Sequence, residues 1–197
     1  MRKLVISCLV LGIPMMFLGA QEQKKQDKKK KGVSNAVAVI HGFKDGNIKG
    51  VVRFHATEEG VEITGEITGL TPGGHGFHVH QFGDCSSADP KCHGAHFNPD
   101  KKKHGGPDAE ERHVGDLGNI MANDMGIATI KMKDKVIALS GLHNIIGRSI
   151  IIHAKEDDLK SDPAGNAGDR IAGGVVGLAA PMENHKKDDT KKDDKEK

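Results

Sequence analysis

Twelve histidines stand in a chain of 197 residues, and their spacing is where chemistry is first legible. His78 and His80 sit two apart in Phe77-His78-Val79-His80. On an extended strand, side chains two apart share a face, so both imidazoles point the same way. Two neutral imidazoles held side by side on a rigid strand make a chelate for copper or zinc. The pair alone says little, because an exposed His-x-His is as often surface decoration. A second group follows: His96, His104 and His113 lie in one stretch, and Asp116 comes three residues after His113. Three imidazoles and one carboxylate form the tetrahedral nitrogen and oxygen set that zinc favours. His153 ends the apolar run Ile150-Ile151-Ile152. Taken by itself, it reads as a hydrogen-bonded core histidine.

The segments that must position these groups alternate with period two, the signature of strands rather than helices. Ala36–Ile40, Ile48–Ala56, Val61–Thr68, Gly76–Phe82, Asp116–Ala122, Ala128–Lys133, Lys135–Ser140, Ser149–His153 and Ile171–Ala179 each read as a strand. In the third, Val61, Ile63, Gly65 and Ile67 share one face, and Glu62, Thr64, Glu66 and Thr68 share the other. Short strands, glycine turns and no helical stretch imply an antiparallel sandwich or barrel. Residues 83–115 and 154–170 break the rhythm. Loops this long in a compact domain are usually functional, and most of the chemically suggestive side chains fall in them. A polar loop of this length needs a cross-link such as a metal to stay ordered.

The ends have a different character. Arg2 and Lys3 precede an uncharged apolar run from Leu4 to Ala20, interrupted by Pro14. That layout fits a secretory signal peptide over 1–20 and is short for a stable membrane span. The rival reading is a lipoprotein signal at Val5-Ile6-Ser7-Cys8, although most of the apolar run lies after Cys8. Residues 21–32, a Lys-rich linker, and 183–197, a charged tail, have too little apolar surface to offset chain entropy and are expected to be disordered. The linker reads as solvated chain or as a weak contact with an anionic surface. Between them, 33–182 forms the expected domain, with 15 basic and 19 acidic residues and a net charge of −4. That balance argues against a uniformly basic nucleic-acid binder. Export places the mature chain in a periplasmic or extracellular, oxidising setting.

Several motifs, in order along the chain, resemble those of the copper/zinc superoxide dismutases. They are Gly76-Phe77-His78-Val79-His80-Gln81-Phe82-Gly83-Asp84, Gly94-Ala95-His96-Phe97-Asn98-Pro99, His104-Gly105-Gly106-Pro107, Arg112-His113-Val114-Gly115-Asp116-Leu117-Gly118-Asn119 and Gly165-Asn166-Ala167-Gly168-Asp169-Arg170. The resemblance covers roughly residues 34–180. It implies a Greek-key β-sandwich or flattened barrel of about eight strands with two long functional loops. It further implies that His78, His80, His96 and His153 bind one copper, and that His96, His104, His113 and Asp116 bind one zinc. His96 would then be a bridge, since an imidazole has two ring nitrogens able to face two cations. Asp157 matches the aspartate that orients a copper ligand and a zinc ligand. Arg170 matches the arginine beside the open copper position, where a small anion docks, with Lys155 and Lys160 as weaker contributors to a positive funnel. The implied activity is dismutation of superoxide to dioxygen and hydrogen peroxide by redox-cycling copper, with His96 as proton donor, as a defence against extracytoplasmic oxidative stress. A copper-binding or copper-delivery module without turnover is the alternative. The zinc set and Arg170 favour the enzyme. Monomer and homodimer both stay open.

The chain departs from the family at one place. The second cysteine of the family's loop-to-strand disulfide would sit at Gly173. Cys85 and Cys92 remain, to pair locally, to stay as free thiols, or to let Cys92 beside His93 form a stray metal site. The local disulfide is the expectation adopted here, and such a small ring constrains the unfolded chain only modestly. His75 reads as a packing residue, His41, His55 and His143 as fillers, and His93 as near enough to the metals to test.

Overall fold

The computed structural model describes residues 32–44, 46–84 and 89–180. The expected signal peptide, nearly all of the linker, the charged tail and Cys85 lie outside the described residues. Every strand lies in the unit Val33–Lys197. Eight strands form: β1 (Asn35–Gly42), β2 (Lys49–Thr57), β3 (Gly60–Thr68), β4 (Gly73–His80), β5 (Asp116–Ala122), β6 (Ala128–Asp134), β7 (Ser149–His153) and β8 (Arg170–Leu178). They close into an antiparallel barrel in the order β1-β2-β3-β6-β5-β4-β7-β8. Among the described residues no helix is long and apolar enough to cross a membrane.

Alternation builds the core. Ala36, Ala38 and Ile40 of β1, Val52 and Phe54 of β2, and Val61, Ile63 and Ile67 of β3 are all buried in one apolar cluster. Their sequence neighbours on β3, Glu62, Thr64 and Glu66, are exposed, as a strand with one wet face requires. β4 and β7 differ. From His75 to His80, and from Ser149 to His153, every residue is buried. Phe77, Val79, Ile150 and Ile152 supply the barrel core, so His78, His80 and Ile151 point to the opposite, outer face. That face is buried because the two long loops lie over it.

Backbone hydrogen bonds fasten the first loop there. The Val79 amide donates to Gly115 O at 2.9 Å, the Phe97 amide to Val79 O at 2.8 Å, and the Gln81 amide to Ala95 O at 2.9 Å. β4 therefore ends at His80 rather than Phe82. One expected strand does not form: Lys135–Ser140 is irregular, with a single isolated bridge between Ala138 and Asn144. The Asp134 carboxylate accepts from the Val136 and Ile137 amides at 2.7 and 2.8 Å, which turns the chain instead of extending it. The alternation arises because Ile137 and Leu139 still reach the core.

Candidate metal centre

The outer face of β4 and β7 carries the histidines, and the loops bring the rest. Two groups of potential ligands form, each with its ligand atoms within 4.8 Å of one another: His78, His80, His96 and His153, and His96, His104, His113 and Asp116. All seven residues are buried. The β4–β5 pairing sets His78 opposite Asp116, beside a bulge at Gly76/His78. A second irregularity, at Ile152/His153 in the β7–β8 pairing, falls at the histidine ending β7. His96 is placed by an isolated bridge to His80.

Hydrogen bonds to one ring nitrogen leave the other as the ligand atom. His80 Nδ1 donates to Gly94 O at 3.0 Å, and His153 Nδ1 donates to Gly168 O at 3.1 Å. Their Nε2 atoms then face each other at 3.3 Å. His78 Nε2 donates to Asp157 Oδ2 at 2.7 Å, and His104 Nε2 donates to Asp157 Oδ1 at 2.9 Å. One carboxylate thus spans the two groups. His96 Nδ1 lies 2.7 Å from Asp116 Oδ1, and His113 Nδ1 lies 3.1 Å from the same oxygen. Among the described residues, His78 Nδ1 and His96 Nε2 are buried without a hydrogen-bond partner, and His104 Nδ1 lies 3.1 Å from Asp116 Oδ2. Orphaned imidazole nitrogens of this kind are costly unless a cation takes their lone pairs. They are the nitrogens a metal requires, so the donor sets fit copper in the four-histidine group and zinc in the three-histidine, one-aspartate group.

Electrostatics agrees with that division. Burial pushes His78 down to about 3, against its hydrogen bond to Asp157, and pushes His153 down to about 4. Burial also lowers His80 and His96, with Asp116 opposing it at His96. Neutral imidazoles are what copper binds. His104 behaves oppositely: burial pulls it down, but Asp116 and Asp157 together carry it up to about 10. Burial would raise Asp116, yet the hydrogen bonds of His104, His113 and His96 hold its carboxyl far below the usual carboxylate range. This side of the centre is built to hold positive charge.

Arg170, the first residue of β8, donates from Nη1 to Pro90 O and from Nη2 to Gly94 O, each at 2.6 Å. The Gly94 carbonyl is also the acceptor for His80, so guanidinium and imidazole share one anchor. Lys155 and Lys160 are exposed. Cys92 is a free thiol whose Sγ lies 2.7 Å from Asp84 O. Cys85, the partner expected for it, lies outside the described residues.

Three supporting residues had no assigned role at the sequence level, although all lie inside the motifs quoted above. Asn119 exchanges hydrogen bonds with the Asp157 backbone at 2.9 and 2.8 Å. Arg112 donates to Asp116 O at 2.7 Å and pairs with Asp134. Gly165 has φ +63°, and a Cβ there would lie 1.7 Å from Asp157 Oδ1. His75, expected as a packing residue, joins Thr71 O to His153 O at 2.9 and 2.7 Å.

Known proteins are similar to this chain over most of its length. A family model described as copper/zinc superoxide dismutase (SODC) matches residues 48–176. Superoxide dismutase [Cu-Zn] 2 of Mesembryanthemum crystallinum is 48% identical over 162 residues, 77% of this chain and 99% of that protein. The extracellular superoxide dismutase [Cu-Zn] of Brugia pahangi is 49% identical over 160 residues, 75% of this chain and 77% of that protein. The crystal structure of the clock protein EA4 superposes with a TM-score of 0.70 at 44% identity, covering 76% of this chain and 97% of that one. With the family pattern matching residues 48–176, more than half of the chain, and a relative 48% identical over 99% of its own length, the chain belongs to the copper/zinc superoxide dismutase family.

Proposed function

We propose that this protein dismutes superoxide, converting two superoxide ions and two protons into dioxygen and hydrogen peroxide. The observation that carries the reading is His96: one ring nitrogen lies against Asp116 in the zinc-type set, while the other is buried and unpartnered. His78, His80, His96 and His153 would hold copper, and His96, His104, His113 and Asp116 would hold zinc. Copper supplies a one-electron redox couple there, and zinc, which has none, supplies fixed charge and order.

The protein's own groups do the rest. Asp157 fixes His78 and His104 with their Nε2 atoms protonated, so their Nδ1 atoms are the ones that would bind the metals. Arg170 presents a guanidinium next to His80 and docks the small anion. His96 Nε2 is the atom placed to hold a proton and release it toward the docked anion, as general acid. The barrel core and the loops exclude bulk water from His78, His80, His96 and His153, which keeps these imidazoles neutral.

Residues 1–20 support export with cleavage before Gln21, in keeping with the extracellular relative from Brugia pahangi. N-terminal sequencing of the exported protein reads Gln21 if this is right, and Met1 if it is not. The activity is tested by metal analysis of the purified protein with a superoxide-consumption assay before and after copper removal. Loss of activity with copper and its return on readdition is expected. Binding of copper and zinc without consumption would leave a binding module.

A further inference from the structure

Phe43 follows β1 and is fixed by its amide, which donates to Ile171 O at 2.9 Å. Its ring stacks on the imidazole of His93, with centroids 5.4 Å apart and planes 28° apart. His93 ends the 3-10 turn Pro90–His93 and is 1% exposed. Its ring makes one long hydrogen bond, 3.4 Å from Nδ1 to Phe82 O, beside the stack on Phe43. The turn's two ends, Pro90 O and Gly94 O, are the acceptors that grip Arg170, and Gly94 O also grips His80. Beneath the ring lies Gly173, where a Cβ would come within 2.8 Å of Phe43 Cζ. A side chain at 173 and the ring in this position exclude each other.

We propose that Phe43, seated over Gly173, and His93 form an aromatic clasp that holds Pro90–Gly94 against the barrel and so aims Arg170. Both are positioning residues, because their rings stack on each other and on none of the ligand histidines. The anion-docking consequence rests on the role of Arg170 given above. A shift of the turn moves both guanidinium anchors together, and misplacement by about 1 Å can lower a rate up to ~100-fold.

The test uses the full chain loaded with copper and zinc, azide as the anion probe, and amide exchange across Phe82 and Gly94. The Phe82 amide bonds to His93 O, and the Gly94 amide bonds to Lys91 O. His93→Ala and Phe43→Leu should each speed exchange at Phe82 and Gly94. Each should also weaken azide binding and lower kcat/KM by a common factor of about ten, within that range, with both metals retained. His93→Phe, which keeps the stack, should behave as the parent, and the double variant should be no worse than either single one. Unchanged exchange in His93→Ala, additive single effects, or loss of copper from either variant would overturn the clasp. Arg170→Ala is run beside them. If it leaves azide affinity and kcat/KM unchanged, the docking role falls, while the exchange data still decide whether the clasp exists.

Discussion

Asp157 is the residue on which both ligand groups depend without being a ligand. It is buried, and each oxygen accepts from an imidazole of a different group. Asp157→Asn leaves one acceptor and turns the other atom into a donor, so one histidine loses the partner that fixes its protonated nitrogen. Affinity for the corresponding metal should fall about 10- to 100-fold, measured by competition with a chelator, while the fold stays intact. Its neighbour Asp158 is a different case. That exposed carboxylate accepts from Ser161, Lys160 and Asn166 and is held down to about 2. Because the folded-state value is depressed, its support for the turn is complete above its ordinary range near 4. The support fades as pH falls from there through about 2. Amide exchange at Lys160 and Ser161 should therefore quicken over that window in the parent, and Asp158→Asn should flatten the response.

The second long loop closes over Asp157 because Gly165 lets it. Gly141 offers a control: its φ is +75°, but nothing lies within 4 Å of a Cβ there. Gly141→Ala should lower stability by about 1–2 kcal/mol, the ordinary penalty of a left-handed backbone. Gly165→Ala adds a collision with Asp157 and His104 to that penalty. It should cost more stability and also zinc, which thermal unfolding and metal analysis on the two variants would separate. This is also where the sequence is most and least informative. Period-two alternation is local, so β5 and β7 were predicted with the bounds found, and the other strands that formed within a few residues. The ligand histidines stand out by type. The hydrogen bonds of Asn119 to Asp157 span 38 residues, and those of Arg170 to Pro90 and Gly94 span 80 and 76. No local pattern encodes such pairings. The false strand at Lys135–Ser140 shows the converse, since alternating burial there comes from a turn pinned by Asp134.

Across the whole molecule, charge sets a contest. The domain 33–182 carries a net −4, while the substrate is a monoanion and Arg170 presents positive charge at the centre. Salt screens distant charges before near ones, with a Debye length of about 30 Å at 0.01 M falling to about 10 Å at 0.1 M. With local attraction dominant, kcat/KM in the parent should fall as salt rises across that range. Arg170→Ala removes the attraction and leaves the general repulsion, so its kcat/KM should be lower at low salt and should rise with salt. A stopped-flow salt series on both proteins, with copper content matched, reads the change of sign directly. A parallel salt dependence in the two would take Arg170 out of the docking step.

Closure of the strand ring has its own consequence. Because β1 pairs with β8, neither strand is left with a free edge at that seam, and neighbouring molecules find no backbone template to extend there. The seam is made by the first and last strands of the domain, however. A protease cut or truncation that strips away β8 would bare β1 and β7 at once, turning a self-contained shell into one sheet with two adhesive borders. Resistance to aggregation is therefore guarded at the carboxyl end of the domain, by the same strand that opens with Arg170.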